Sequence, residues 1–128
     1  MGEDLSVIVP QASAVALTTG TASVVASATL GPGVWDVGGA AAGFTGTATT
    51  TLVSCGAGVN TAQQMPALHL RGQATNARTS TVDVVVQYPS QRLTVPAGQT
   101  LTVYLLAVCV FTSGAMSAYG ELRIRRAF

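Results

Sequence analysis

The stretch that most constrains the fold is the last quarter of the chain. Residues 101–111 read LTVYLLAVCVF, the longest apolar run in the protein, and a short break at Thr112-Ser113-Gly114 follows. Residues 115–126 then alternate Met116, Ala118, Leu122 and Ile124 with Ser117, Tyr119, Glu121, Arg123 and Arg125. Two such runs joined by a Gly-containing turn predict a β-hairpin. The first strand is apolar on both faces, so it is expected to be central and covered on both sides. The second is expected to have one wet face, carrying Tyr119, Glu121, Arg123 and Arg125. A membrane helix is excluded for this run, because the uninterrupted apolar stretch is Val103 to Phe111 and a span needs about 20 residues.

The rest of the chain reads as strands to match. Residues 14–30 are rich in Val, Thr and Ala and are broken by Gly20. Gly31-Pro32-Gly33 is a turn, with Val34-Trp35-Asp36-Val37 starting a strand directly behind it. Residues 38–46 continue that strand irregularly, and 47–55 alternate Thr with small and apolar residues. Residues 56–66, with two Gly and a terminal Pro, are expected to be a loop, 67–71 a short strand, and the polar residues 72–80 a surface loop. Strands at 81–88 and 91–95 follow, and Pro96-Ala97-Gly98-Gln99 turns the chain into the closing run. Nowhere do apolar residues hold a helical spacing with a cap. The expectation is an all-β chain: a jelly-roll-like antiparallel β-sandwich of about eight strands with essentially no helix. Trp35, Phe44 and Phe111 are its expected core nucleus.

At 128 residues the chain suits one domain at 14–128, preceded by residues 1–13. In that first segment Leu5, Val7 and Val9 alternate with Ser6 and Ile8 before Pro10, which reads as an edge strand or as an arm pairing with a neighbouring molecule. The acidic start, Glu3-Asp4, does not resemble a secretory signal, so synthesis in a cytosol is expected. Cys55 and Cys109 belong to no CxxC pair, and buried free thiols are the expectation for a protein made there, with a disulfide as the alternative.

Only 9% of the residues are charged, against about 25% in an average soluble domain. Such a surface suits a protein that covers itself with partners or with its own copies; an ordinary Ala- and Val-rich domain is the plainer reading. All six basic residues are Arg and the net charge is +1, which excludes the basic footprint of a nucleic-acid binder. Arginine in place of lysine favours fixed, bidentate contacts, although codon bias of a GC-rich genome has the same result. For catalysis the inventory is thin. His69 is the single histidine, flanked by Leu68 and Leu70, and is expected to be structural. The five acids, Glu3, Asp4, Asp36, Asp83 and Glu121, form no spaced dyad, and nothing has metal-ligand spacing. No enzyme, cofactor or metal is expected.

Three segments carry a resemblance to a known family. Gly33-Val34-Trp35-Asp36-Val37, Thr102-Val103-Tyr104-Leu105-Leu106-Ala107 leading to Phe111, and Ser117-Ala118-Tyr119-Gly120-Glu121-Leu122-Arg123-Ile124-Arg125-Arg126 resemble core strands of small β-sandwich structural proteins of tailed bacteriophages. Leu106-Ala107-Val108-Cys109-Val110 has no Gln where that family often has one, Arg123-Ile124-Arg125 stands where it usually has an Ala before the Arg pair, and residues 56–80 match no part of its pattern. The resemblance implies a virion component made in the bacterial host cytoplasm. A capsid decoration or cement protein would sit on the capsid surface, self-associate as a dimer or trimer, and clamp major capsid protein subunits, without nucleic acid or membrane as partner. A tail or fibre module, of a carbohydrate-binding kind among others, is the alternative. On the first reading the interface residues are Leu5, Val7 and Val9 of the N-terminal segment and Tyr119, Glu121, Arg123 and Arg125 of the last strand.

Overall fold

The computed structural model describes residues 4–46, 53–66, 70–76, 84–111 and 114–127, with the backbone alone for 4, 5, 53, 54, 74–76 and 84. Eleven strands lie among them: β1 (Asp4–Val9), β2 (Val15–Ala16), β3 (Ser23–Leu30), β4 (Gly33–Gly38), β5 (Ala41–Gly46), β6 (Val53–Asn60), β7 (Arg71–Asn76), β8 (Val84–Gln87), β9 (Ser90–Val95), β10 (Leu101–Val110) and β11 (Met116–Arg126). The described residues include no α-helix; a 3-10 turn lies at Gln11–Ser13.

Three pairs of these strands are broken halves of longer runs. β4 and β5 pair with β9 and β8 in one register across the breaks, Gly38 lying opposite Ser90 and Ala41 opposite Gln87. β1 and β2 both run along the same edge of β11. Counted whole, eight runs form two antiparallel four-run sheets: β1/β2, β11, β4/β5, β8/β9 in one, and β3, β10, β6, β7 in the other. Successive runs alternate between the sheets over much of the chain, and this is the jelly roll expected from the sequence.

The expected hairpin is not there. β10 pairs with β3 and β6, whereas β11 pairs with β1, β2, β4 and β5, so the two neighbours in sequence lie in opposite sheets. Each has an apolar face, and both faces turn inward on the same core. Val103, Leu105, Ala107 and Cys109 of β10, and Ala118, Leu122 and Ile124 of β11, have no exposed surface beyond rounding. β10 is central as expected and is covered on its outer face only in part: Leu106 there is fully buried, opposite Gly58, whereas Tyr104 and Val108 are half-buried and Val110 is exposed.

Parts of two expected loops are strand. β6 runs on through Gly56 and Gly58 to Asn60, and β7 takes up most of the polar segment after Gly72. The glycines are there for close approach rather than for a turn. A side chain at Gly58 would meet Pro66 Cγ at 2.7 Å and the Leu70 carbonyl at 2.9 Å, where residues 61–66 fold back over β6. That return is held by Arg71, whose Nε and Nη2 donate to the Pro66 carbonyl at 3.1 and 2.7 Å. Gly20 does act as a break, with φ +74 and a Thr21 to Thr18 backbone hydrogen bond. Residues 47–52 and 67–69, part of two expected strands, lie outside the described residues.

Trp35 and Phe44 are buried in the core, while Phe111 packs against its margin. The Trp35 indole N–H donates to the Gly31 carbonyl at 3.0 Å, and the Arg126 guanidinium lies 4.5 Å over its ring. The cysteines also differ from expectation. Cys55 of β6 and Cys109 of β10 are directly opposite in register, with Cα atoms 4.1 Å apart, and their sulfurs are bonded. Sequence separation hid the pairing, because only the sheet brings residues 54 positions apart into one rung.

Candidate interaction surface

The outward face of the β11 sheet gathers most of the charged residues described. Period-two alternation along β11 buries Met116, Ala118, Leu122 and Ile124 and turns Tyr119, Glu121, Arg123 and Arg125 outward, as the sequence predicts. Neighbouring strands extend this row into rungs. Asp4, Arg125, Asp36 and Arg92 stand opposite one another across β1, β11, β4 and β9, an alternation of sign over the whole width of the sheet. Arg92 holds Asp36 in a two-pronged contact, Nε to Oδ1 at 2.9 Å and Nη2 to Oδ2 at 3.2 Å. That hydrogen-bonded guanidinium, with Arg125 adding its charge, keeps the Asp36 carboxyl below the usual aspartate range. The pair is therefore intact at neutral pH and is released only as acid titrates the carboxylate through that lowered value.

One rung along, Glu121 accepts a hydrogen bond from Ser6 Oγ at 3.0 Å and a longer one from Arg123 Nη2 at 3.4 Å. The Tyr119 ring lies over Gly43, where a Cβ would come within 2.3 Å of it. Around these sit two exposed apolar side chains, Ile8 at 67% and Val85 at 62%. The face thus carries charged side chains together with two exposed aliphatic ones.

Beneath it, Tyr88 is buried and its hydroxyl donates to the Glu121 carbonyl. Burial, and then the nearby Glu121 carboxylate, push the phenol above its ordinary value, so it stays a donor at any working pH. Tyr88→Phe is expected to destabilise the fold by about 1 kcal/mol, read as a lower urea midpoint with an unchanged slope. An unaltered midpoint would show that the hydroxyl contributes nothing there.

The seven residues singled out from sequence are distributed as follows. Tyr119, Glu121, Arg123 and Arg125 share the outward face. Val7 and Val9 turn inward and pack against the core, and Leu5 is opposite Ile124 in register. β1 is an edge strand pairing with β11 of its own chain. Ser6, Ile8, Asp36, Val85 and Arg92 join the surface without having been singled out. Their signal is visible afterwards: each occupies the polar-phase position of its strand, but register is needed to place them on one face. His69, Asp83 and Glu3 lie outside the described residues. Among the described residues no three His, Cys, Asp or Glu side chains converge to hold a metal ion, and no helix is long and apolar enough to cross a membrane.

No family model and no curated protein matches the chain. Solved structures do. Over 98% of its length the chain is similar to a chain of the T13 viral particle of infectious bursal disease virus, with TM-score 0.57, 14% identity and 31% of that chain covered. The Gx strain of the same virus matches at TM-score 0.54, 12% identity and 32% coverage of that chain. The VP2 subviral particle matches at TM-score 0.52, 13% identity and 33% coverage. The chain spans about a third of the length of each of these structures' chains. At such identity the likeness is one of fold: the two four-run sheets described above have the architecture found in one part of a longer viral-particle chain.

Proposed function

We propose that this chain is a non-enzymatic virion structural protein, a capsid decoration or cement protein of a tailed bacteriophage that self-associates and clamps major capsid subunits. The observation that carries this reading is the match of nearly the whole chain to a viral-particle jelly roll. The three segments resembling phage structural proteins point the same way, and so does a surface with few charges. Binding would rest on contact area repeated over many equivalent shell positions, where weak single contacts add up.

In this proposal the outward face with Tyr119, Glu121, Arg123 and Arg125 meets the shell. The outer edge of β1, from Leu5 through Val7 to Val9, is where one subunit's sheet continues into the next; among the described residues β1 pairs only with β11. The protein acts at the capsid surface after synthesis in the host cytoplasm.

Copy number per particle tests the reading. Quantitative mass spectrometry of purified virions is expected to find hundreds of copies, and purified protein is expected to bind particles stripped of it. A dozen copies or fewer would place the chain in the tail or a fibre instead. A monomer that ignores capsids would remove the proposal.

A further inference from the structure

An open sheet ends in two edges, and natural sheets close them with a break, a charge, a bulge or a covering element. In the sheet that holds β11, the β8/β9 edge is broken at Tyr88-Pro89 and carries the exposed Arg92. In the other sheet, β7 closes against Gln87 of β8. The β1 edge has none of these devices along its length. It runs six residues in unbroken register with β11, holds no Pro, and has its one charged residue, Asp4, at its start. Among the described residues it pairs with β11 alone. Val7 and Val9 turn inward against the core but stay only half-buried. On the opposite face Ile8 is 67% exposed, the most exposed large aliphatic side chain described.

We infer that β1 pairs antiparallel with β1 of a second copy about a two-fold axis at Val7, and that the dimer so formed turns both of its charged faces to the same side. Register selects this arrangement. An axis between two residues would set inward side chains opposite outward ones, so the axis passes through a residue. Centred on Val7, residues 5–9 of both copies pair: Leu5 stands opposite Val9, Val7 opposite Val7 and Ser6 opposite Ile8, with Asp4 at the rim opposite Pro10. The apolar phase then runs unbroken from one core margin to the other. A centre at Leu5 or Ser6 would bring the acidic Glu3 opposite Val7 or Val9, and a centre at Ile8 or Val9 would bring Gln11 opposite Leu5 or Val7. A second copy is the occupant because this one segment supplies both halves of the joint without setting a charge against an apolar residue or against its like.

An axis through Val7 stands perpendicular to the sheet, because both Val7 side chains lie on the same face. The two four-run sheets become one, and the faces carrying Tyr119, Glu121, Arg123 and Arg125 look the same way. On that face the two Ile8 side chains become diagonal neighbours, about 7 Å apart, and cover one another. The dimer is thus bivalent, with two copies of one contact surface aimed at a single shell. For what that doubled face docks on, the inference rests on the proposed capsid role; the pairing itself does not.

Sedimentation equilibrium tests the dimer, and cross-linking tests its register. In protein up to about 1 mM, which reaches even a millimolar joint, the wild type is expected to form dimers and stop there, since a two-fold joint uses both β1 edges. Ile8→Lys, which sets like charges diagonally across the joint, is expected to weaken dimerisation at least tenfold. Val85→Lys, similarly exposed but on β8, is expected to leave it unchanged. Both native cysteines are bonded to each other, so Ser6→Cys and Ile8→Cys proteins carry one free thiol each. Mixed and oxidised with diamide, they are expected to cross-link to one another well above the proportion of random mixing. A monomer throughout, a trimer, an Ile8→Lys protein that dimerises like the wild type, or cross-links in random proportion overturn the inference. Adding the wild type to stripped capsids separates the two claims. A monomer that binds them overturns the dimer and leaves the capsid reading standing, whereas a dimer with the expected cross-links that ignores them overturns the capsid reading alone.

Discussion

Removing the Cys55–Cys109 cross-link is expected to lower the unfolding free energy by about 4 kcal/mol, the chain-entropy value for a loop of this size; the two residues are 54 positions apart. For a domain of this length that is a fall in melting temperature of about 15 °C. Both positions are buried in the β6–β10 rung, so the informative variant is the double Cys55→Ala/Cys109→Ala. It keeps the site apolar and removes the bond without leaving one thiol behind. The same drop is expected on reducing the wild type, and the reduced wild type and the double variant should melt within a few degrees of one another. A change of less than about 1 kcal/mol in both would mean that the β6–β10 register holds these strands without the bond.

Gly72→Ala is expected to destabilise the protein by about 3 kcal/mol, at the upper end for overpacking. Gly72 belongs to β7, the outer strand of one sheet, and a Cβ there would lie 1.8 Å from the Gln87 carbonyl oxygen and 2.7 Å from its carbon. Gln87 ends β8 in the other sheet, so this is where the two sheets close on one another, backbone against backbone. Carbonyl groups in a strand cannot swing aside as a side chain can, and relief requires one sheet edge to move. Gly43→Ala is the useful contrast, because its Cβ would meet the Tyr119 ring, a side chain near the surface. Gly31→Ala, with nothing within 4 Å and no left-handed backbone, is the control and should shift stability by no more than about 0.5 kcal/mol. Chemical denaturation of the three variants checks the order. If Gly72→Ala matched Gly31→Ala, the sheet edges would not be in contact as described.

The candidate surface was legible in part. Alternation in residues 116–125 places Tyr119, Glu121, Arg123 and Arg125 on one face, and the structure keeps them there, because side-chain direction in a strand is a local property of the backbone. Asp36 and Arg92 were not legible as their partners. They come from strands more than fifty residues apart, and only the β4–β9 register sets one opposite the other. The coincidence of two strand breaks was less legible still: β4 gives way to β5 at Gly39-Ala40 alongside the break between β8 and β9 at Tyr88-Pro89, and neither segment on its own signals the other. In the same way Gly56 and Gly58 look like loop residues until Pro66 and Leu70 are seen pressing on the strand that holds them.

What the chain of residues determined by itself was the class of fold and the two faces of each strand: all-β, antiparallel, sandwich-like, with its apolar phases inward. What only the tertiary structure decided was pairing. β10 and β11 look like a hairpin from their sequence, yet they face each other across the core from opposite sheets, and Cys55 finds Cys109 through the β6–β10 rung. The physical reason is that side chains mark the faces of a strand, while its edges carry the same N–H and C=O groups whatever the residue. An apolar face is satisfied by any opposing apolar face. Which edges meet is settled by packing the whole set of strands at once.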